Sequence, residues 1–361
     1  MGDGFEYRLN SLSILPFPAP EGQSHIPWGI RLSPNLRLNV SDFFADLRLE
    51  GGAAYSGATP IGANYFETNP SGAISADAPA SAWVYQPKDA NDPLRGNFGI
   101  RSLSLGYRFG SDFQIRLGRH RYEQTESERL FMANSFSPQS NYANVTIPLH
   151  WLGGELRYDR RRTDSELRQL LFSVAGMNGA DGTILGMAQA LTTVAFTRAA
   201  NAPRLTLTAY AAVRSNPQPA SGPIADPGLT HGEGFGIQFD YDIFTAGTAF
   251  SYRWGSSHND LGLEAADERN VATLLADLHP RNFRFRGAVS FLDQQRTTDA
   301  AHEPRVARNE THLDLGASWL PVEGVQLTLG YRGAYGNNFA AHMGYLGVLT
   351  TFQGTVPFSS H

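Results

Sequence analysis

The chain of 361 residues contains no cysteine, so neither a disulfide framework nor a thiolate metal site is available to it. Lysine is almost missing: Lys88 stands alone, and the rest of the 29 basic residues are arginine. Apolar residues never run to the roughly eighteen in succession that a membrane-crossing helix needs. Runs of helical period are equally scarce. The opening, MGDGFEYRLN, lacks a basic and apolar secretion leader; because strand-like alternation starts at once, we expect a mature form behind an added Met1 rather than a protein that is not exported. A formal net charge of −5 without a basic stripe argues against a nucleic-acid partner. Gly-x-Ser-x-Gly, His-Glu-x-x-His and Gly-Lys-Ser/Thr sequences are all missing, and the ten histidines are scattered. No catalytic residue, metal or cofactor is expected.

What the chain does have is 37 glycines, 22 phenylalanines and 14 tyrosines, a composition suited to aromatic-rich strands joined by turns. The alternation is plainest in Phe235–Trp254. Phe235, Ile237, Phe239, Tyr241 and Ile243 fall on one face and Gly236, Gln238, Asp240 and Asp242 on the other, since successive strand side chains point oppositely. A turn expected at about Phe244–Gly247 resets the parity, and Thr248, Phe250, Tyr252 and Trp254 then oppose Ala249, Ser251 and Arg253. This reads as a hairpin. In Trp28–Val40 the apolar row Trp28, Ile30, Leu32, Leu36, Leu38 and Val40 faces away from Arg31, Arg37 and Asn39. Phe43–Tyr55 sets Phe43, Leu47 and Leu49 against Asp46, Arg48 and Glu50. The pattern recurs to about Met343–Gln353, giving roughly sixteen strands by the alternation rule.

Tight turns near positions 41, 111, 163, 201, 245, 280 and 322 alternate with longer connections, of which about 56–95 and 123–149 are the longest. A two-layer sandwich has no reason to sort its connections by strand parity. Clean strands supply about 9–11 residues, the length a tilted strand needs to cross hydrocarbon. Every backbone N–H and C=O in lipid needs a partner, so a sheet there has to close on itself. The expected fold is all-β: one transmembrane antiparallel β-barrel of about sixteen strands spanning 1–361. Its aromatic girdles are expected at Trp28, Tyr55, Trp254, Phe291 and Tyr331 toward the long loops, and at Phe43, Phe109, Tyr158, Phe283 and Trp319 toward the turns.

Strand number, turn asymmetry and length together resemble the bacterial outer-membrane porins. The resemblance implies an outer-membrane location, short periplasmic turns and long extracellular loops. Lipid and lipopolysaccharide would lie outside the barrel and small polar solutes inside, with the third long loop, here about Glu123–Leu149, folded inward. Within Ile115–Arg160, IRLGRHRYEQTESERLF and WLGGELRYDR look like the strand, Gly-Arg, polar loop, strand arrangement of alginate-export-like and related substrate-selective porins. Tyr345, Gly347 and Phe352 resemble the terminal aromatic signal of such barrels, but nine residues follow Phe352 where those chains usually stop. Oligomeric state is not encoded legibly.

Strand parity nominates the channel-lining side chains: Arg108, Arg116 and Arg157, with Arg129 from the third loop, then Tyr122, Trp151, Arg253, Arg284, Arg286, Asp240 and Asp242. Between Arg95 and Arg168 lie twelve arginines and eight acids, whereas later connections are acidic, with Asp226, Glu233, Asp260, Glu264, Asp267, Glu268, Asp299 and Glu303. One reading is a set of solvated lumen charges in weak cross-strand pairs. The other is a basic wall facing an acidic rim, a field that orients dipolar or anionic solutes. Tyr122, Trp151 and Tyr210 could offer ring faces to sugars. The function expected is passive diffusion of small polar solutes, with carbohydrates and organic acids as candidates. Alternatives are an export pore for a secreted polysaccharide, and an outer-membrane hydrolase built around His120 or His312.

Overall fold

The structure is a computed structural model and describes residues 3–17, 28–55, 84–85, 94–121, 150–178, 184–215, 229–258, 264–297, 306–336 and 339–358. Sixteen long strands form the wall. In chain order they are β1 (Gly4–Phe17), β2 (Trp28–Val40), β3 (Phe43–Tyr55), β4 (Leu94–Phe109), β5 (Phe113–Arg121), β6 (His150–Arg161), β7 (Leu167–Asn178) and β8 (Ile184–Ala195). They continue with β9 (Arg204–Ser215), β10 (Leu229–Tyr241), β11 (Phe244–His258), β12 (Glu264–Leu278), β13 (Phe283–Thr297), β14 (Val306–Val322), β15 (Val325–Gly336) and β16 (Phe339–Pro357). Val84–Tyr85 adds a two-residue rung against Gly96 and Asn97 of β4.

Each strand pairs antiparallel with its sequence neighbours, and β1 closes the ring by pairing with β2 on one side and β16 on the other. Gly4 meets Asn39 and Pro357, and Phe17 meets Gly344, so the seam runs the length of β1. Closure removes the free edge that lipid cannot satisfy. The last strand continues five residues past Phe352, whose ring is on the outer face. The extra length is what pairs Gly354–Pro357 with Gly4–Tyr7, so the departure from a terminal aromatic is absorbed into the seam.

Parity sorts the two faces. Outward rows carry large apolar side chains that remain exposed, such as Leu103, Leu105 and Phe109 on β4, while Ser102 and Ser104, which alternate with the leucines, are buried on the inner wall. A closed sheet that shows its apolar residues outward and its polar residues inward has lipid, not water, as its surroundings. The turn-side girdle is dense: Phe43 and Tyr107 meet edge-on at 4.7 Å, Tyr107 and Phe109 at 4.8 Å, and Phe113 and Tyr158 at 4.8 Å. On the loop side Trp254 and Phe291 are exposed as expected, and the side chains of Trp28 and Tyr55 lie outside the described residues.

Two expectations are corrected. The β10–β11 hairpin turns two residues at Asp242 and Ile243, with Tyr241 paired to Phe244, rather than at Phe244–Gly247. Asp242 takes φ 49°, a left-handed conformation that its short polar side chain tolerates. Connection length also fails to alternate strictly. The turn-side connection 196–203 is longer than the loop-side connections 179–183, 259–263 and 337–338. Most of 56–95 and all of 123–149 lie outside the described residues.

Candidate channel lining

The inner wall is not uniform. Its richest region spans β2 to β6, within a few residues of the tight turns. Arg37 on β2 forks onto Asp46 of β3, with Nε 2.5 Å from Oδ1 and Nη2 2.9 Å from Oδ2. Arg116 on β5 approaches the same carboxylate at 3.6 Å. Arg108 on β4 donates to Oδ1 of Asn39 at 2.8 Å, and Asn39, almost wholly buried, donates in turn to Glu6 at 2.8 Å. On β6, Arg157 and Arg161 both reach Asp159 Oδ2 at 2.9 Å, and Gln169 donates to its Oδ1 at 2.8 Å.

In the middle of the first group stands a residue that parity counting passed over. Phe44 has its ring on the inner wall and is 3% exposed. The guanidinium carbons of Arg108, Arg37 and Arg116 lie 4.7, 5.2 and 5.6 Å from its centroid. Each is within the range of a cation–π contact, worth about 0.5–2 kcal/mol depending on desolvation. The ring lies flat because Gly106, its register partner on β4, has no side chain; a Cβ there would overlap it. The sequence signal was the doublet Phe43-Phe44: in a strand, two adjacent aromatics cannot both face lipid.

A second charged group lies across the barrel. Asp277 on β12, 2% exposed, accepts from Arg284 Nε at 2.8 Å, from Arg284 Nη2, and from Arg286 Nη2 at 3.2 Å. Both arginines are on β13, the eighth neighbour of β5 whichever way the ring is followed. Sixteen strands about 4.8 Å apart and tilted about 40° enclose a ring about 32 Å across between backbones. That exceeds the Debye length of about 8 Å in physiological salt, so the two groups stand on opposite walls and do not pair. Asp240, on β10, takes hydrogen bonds from Gln238 at 2.7 Å and Thr245 at 2.8 Å.

Of the nominated residues, the structure brings Arg108 and Arg116 together around Phe44 and sets Arg157 one strand further on. Arg284 and Arg286 share Asp277, and Asp240 faces inward. Asp242 does not line the lumen: it occupies the exposed turn after β10. Arg129 and Tyr122 lie outside the described residues, as do the side chains of Trp151, Arg253, His120 and His312. The acidic-rim expectation is corrected in part, because Glu233 and Glu268 share the outward parity of Phe235 and Leu274. Asp226, Asp260, Asp299 and Glu303 lie outside the described residues. Tyr210 is buried with Met177, Leu185 and Met187 in an apolar cluster on the inner wall of β7–β9, so its ring is not offered as a sliding surface.

No protein-family model matches the chain, and no curated protein does. Solved structures do. OprB of Pseudomonas putida superposes with a TM-score of 0.60 at 10% identity, covering 97% of this chain and 94% of that one. A loop-deletion form of OmpT, an outer membrane protein of Vibrio cholerae, gives 0.59 at 10%, covering 98% and 100%. OmpF of Salmonella typhi, solved with daunomycin, gives 0.58 at 11%, covering 97% and 98%. At about one identical residue in ten, what is shared is the path of the chain. The protein has the fold of the bacterial outer-membrane β-barrels, and its apolar exterior fits it to that membrane.

Proposed function

We propose that the barrel is an outer-membrane diffusion channel for small polar solutes, with a preference for anions set on the β2–β6 wall. The observation that supports this most is the surplus of arginine there: Arg37, Arg108 and Arg116 converge on one ring, and with Arg48 and Arg157 on the same inner face they outnumber Asp46, Asp159 and the buried Glu155, the register partner of Arg116. Organic acids and acidic sugars are the solutes such a wall would retain. The Asp277 group adds little net field, because its buried carboxylate lies against Arg284 and Arg286 while Asp314, also buried, stands nearby.

The test is the reversal potential of the purified protein in a planar bilayer under a salt gradient. Wild-type channels should prefer chloride over potassium, and Arg108→Ala with Arg116→Ala should move the potential toward the cation value. Organic acids should interrupt single-channel current at lower concentration than neutral sugars. A wild-type channel with no ion preference, or an arginine variant that keeps it, removes this wall from the mechanism.

A further inference from the structure

We infer that Phe44 is a positioning residue for selectivity: its ring is the common contact that gathers Arg37, Arg108 and Arg116 into one basic face, beside the anchors that Asp46 and Asn39 give them. This rests on the reading of the β2–β6 wall as the ion-selective element.

Three like charges within 6 Å of a single point repel one another, and Asp46 and the buried Glu155, the register partner of Arg116, offset only part of that repulsion. The face of an aromatic ring is negative and attracts all three, and it does so without neutralising them. A second carboxylate in place of Phe44 would also hold the arginines, but it would cancel the field they make. A ring therefore keeps the charges close and leaves them able to act on passing solute. The surrounding strands are built to present this ring. Phe44 pairs with Gly106, whose bare backbone is the bed it lies on, and Gly106 pairs on its other side with Arg116. Arg37 and Arg108 are pinned at their far sides by Asp46 and Asn39, so the ring is their common contact rather than their sole support.

The experiment compares Phe44→Leu, which stays apolar and loses the ring face, with Phe44→Trp, which keeps a stronger one, in the same bilayer measurement. A change of one kT in local potential lowers anion entry and raises cation entry about e-fold each, so the permeability ratio moves about sevenfold per kT. Phe44→Leu should lower the chloride-to-potassium ratio about two- to sevenfold at low salt, with conductance in high salt unchanged, and Phe44→Trp should restore it. Should Phe44→Leu fail to insert, Gly106→Ala, which lifts the ring off the wall without removing it, should give the same shift. If the Arg108/Arg116 variant changes selectivity while Phe44→Leu or Gly106→Ala matches wild type, the role of the ring is refuted and the basic wall stands. If neither the arginine nor the phenylalanine variants change it, the proposed function falls as well.

Discussion

Replacing Asp277 by alanine should be among the most damaging single changes on the inner wall. The carboxylate is 2% exposed and accepts from both Arg284 and Arg286. Its removal takes the shared carboxylate from both cations and leaves buried Asp314 as an acid near Arg286: the Arg286 side chain is 7% exposed, whereas Arg284 at 25% can turn partly into the lumen. Breaking a buried pair from one side costs about 3–5 kcal/mol, and the partial escape of Arg284 lowers the expected loss to about 2–4 kcal/mol. Asp277→Asn keeps an acceptor and should lose about 1–2 kcal/mol. Asp277→Leu combined with Arg286→Leu should recover most of the stability, because an apolar pair of similar volume needs no desolvation of charge. Urea unfolding in detergent, followed by tryptophan fluorescence and by gel mobility of unheated samples, measures all three. If Asp277→Ala unfolds within about 0.5 kcal/mol of wild type, the group is solvated from the lumen and the buried-pair account is wrong.

Two other changes test the wall itself. Leu105→Arg places a cation on the lipid face of β4, four residues inward from the turn-side Phe109, where the leucine is 65% exposed, and should cost about 2–4 kcal/mol in vesicle folding titrations; a neutral result would mean that this face does not meet lipid. Gly330→Ala forces a Cβ into the ring of Tyr345, its register partner on β16, and should cost about 1–3 kcal/mol by the same urea assay. A loss no larger than that of Gly186→Ala, where the added Cβ meets open space, would show that the ring moves aside freely.

Period-two alternation carried most of the architecture. Outward rows such as Leu103, Leu105 and Phe109 are visible in one sequence because lipid tolerates nothing else there. What alternation could not show is contact between strands far apart in the chain. The Phe43-Phe44 doublet shows that one ring must face inward, but not what Phe44 does there, because that depends on Gly106 and Arg108, which join it only through register. Arg284 and Arg286 were assigned to the lumen face, but their pairing with Asp277, seven and nine residues away across the β12–β13 turn, was not read, because alternation fixes a face and not a partner. The β10–β11 turn was misplaced because Gly247 reads as a turn residue, while Asp242, which adopts the positive φ, reads as one more polar strand position. The apolar inner wall at Met177, Leu185 and Met187 escaped because alternation presumes a wet lumen everywhere.

The aromatic–glycine pairs have a consequence for pore size. Phe44 over Gly106, Tyr210 over Gly234 and Tyr345 over Gly330 are bulky inward groups, yet each is pressed against the backbone of the next strand. A ring standing upright would project about 6–7 Å toward the axis, whereas one lying down occupies little more than its own thickness of roughly 3.5 Å. At these three positions the cylinder gains cross-bracing between adjacent staves while the rings take little more room from the bore than small side chains would.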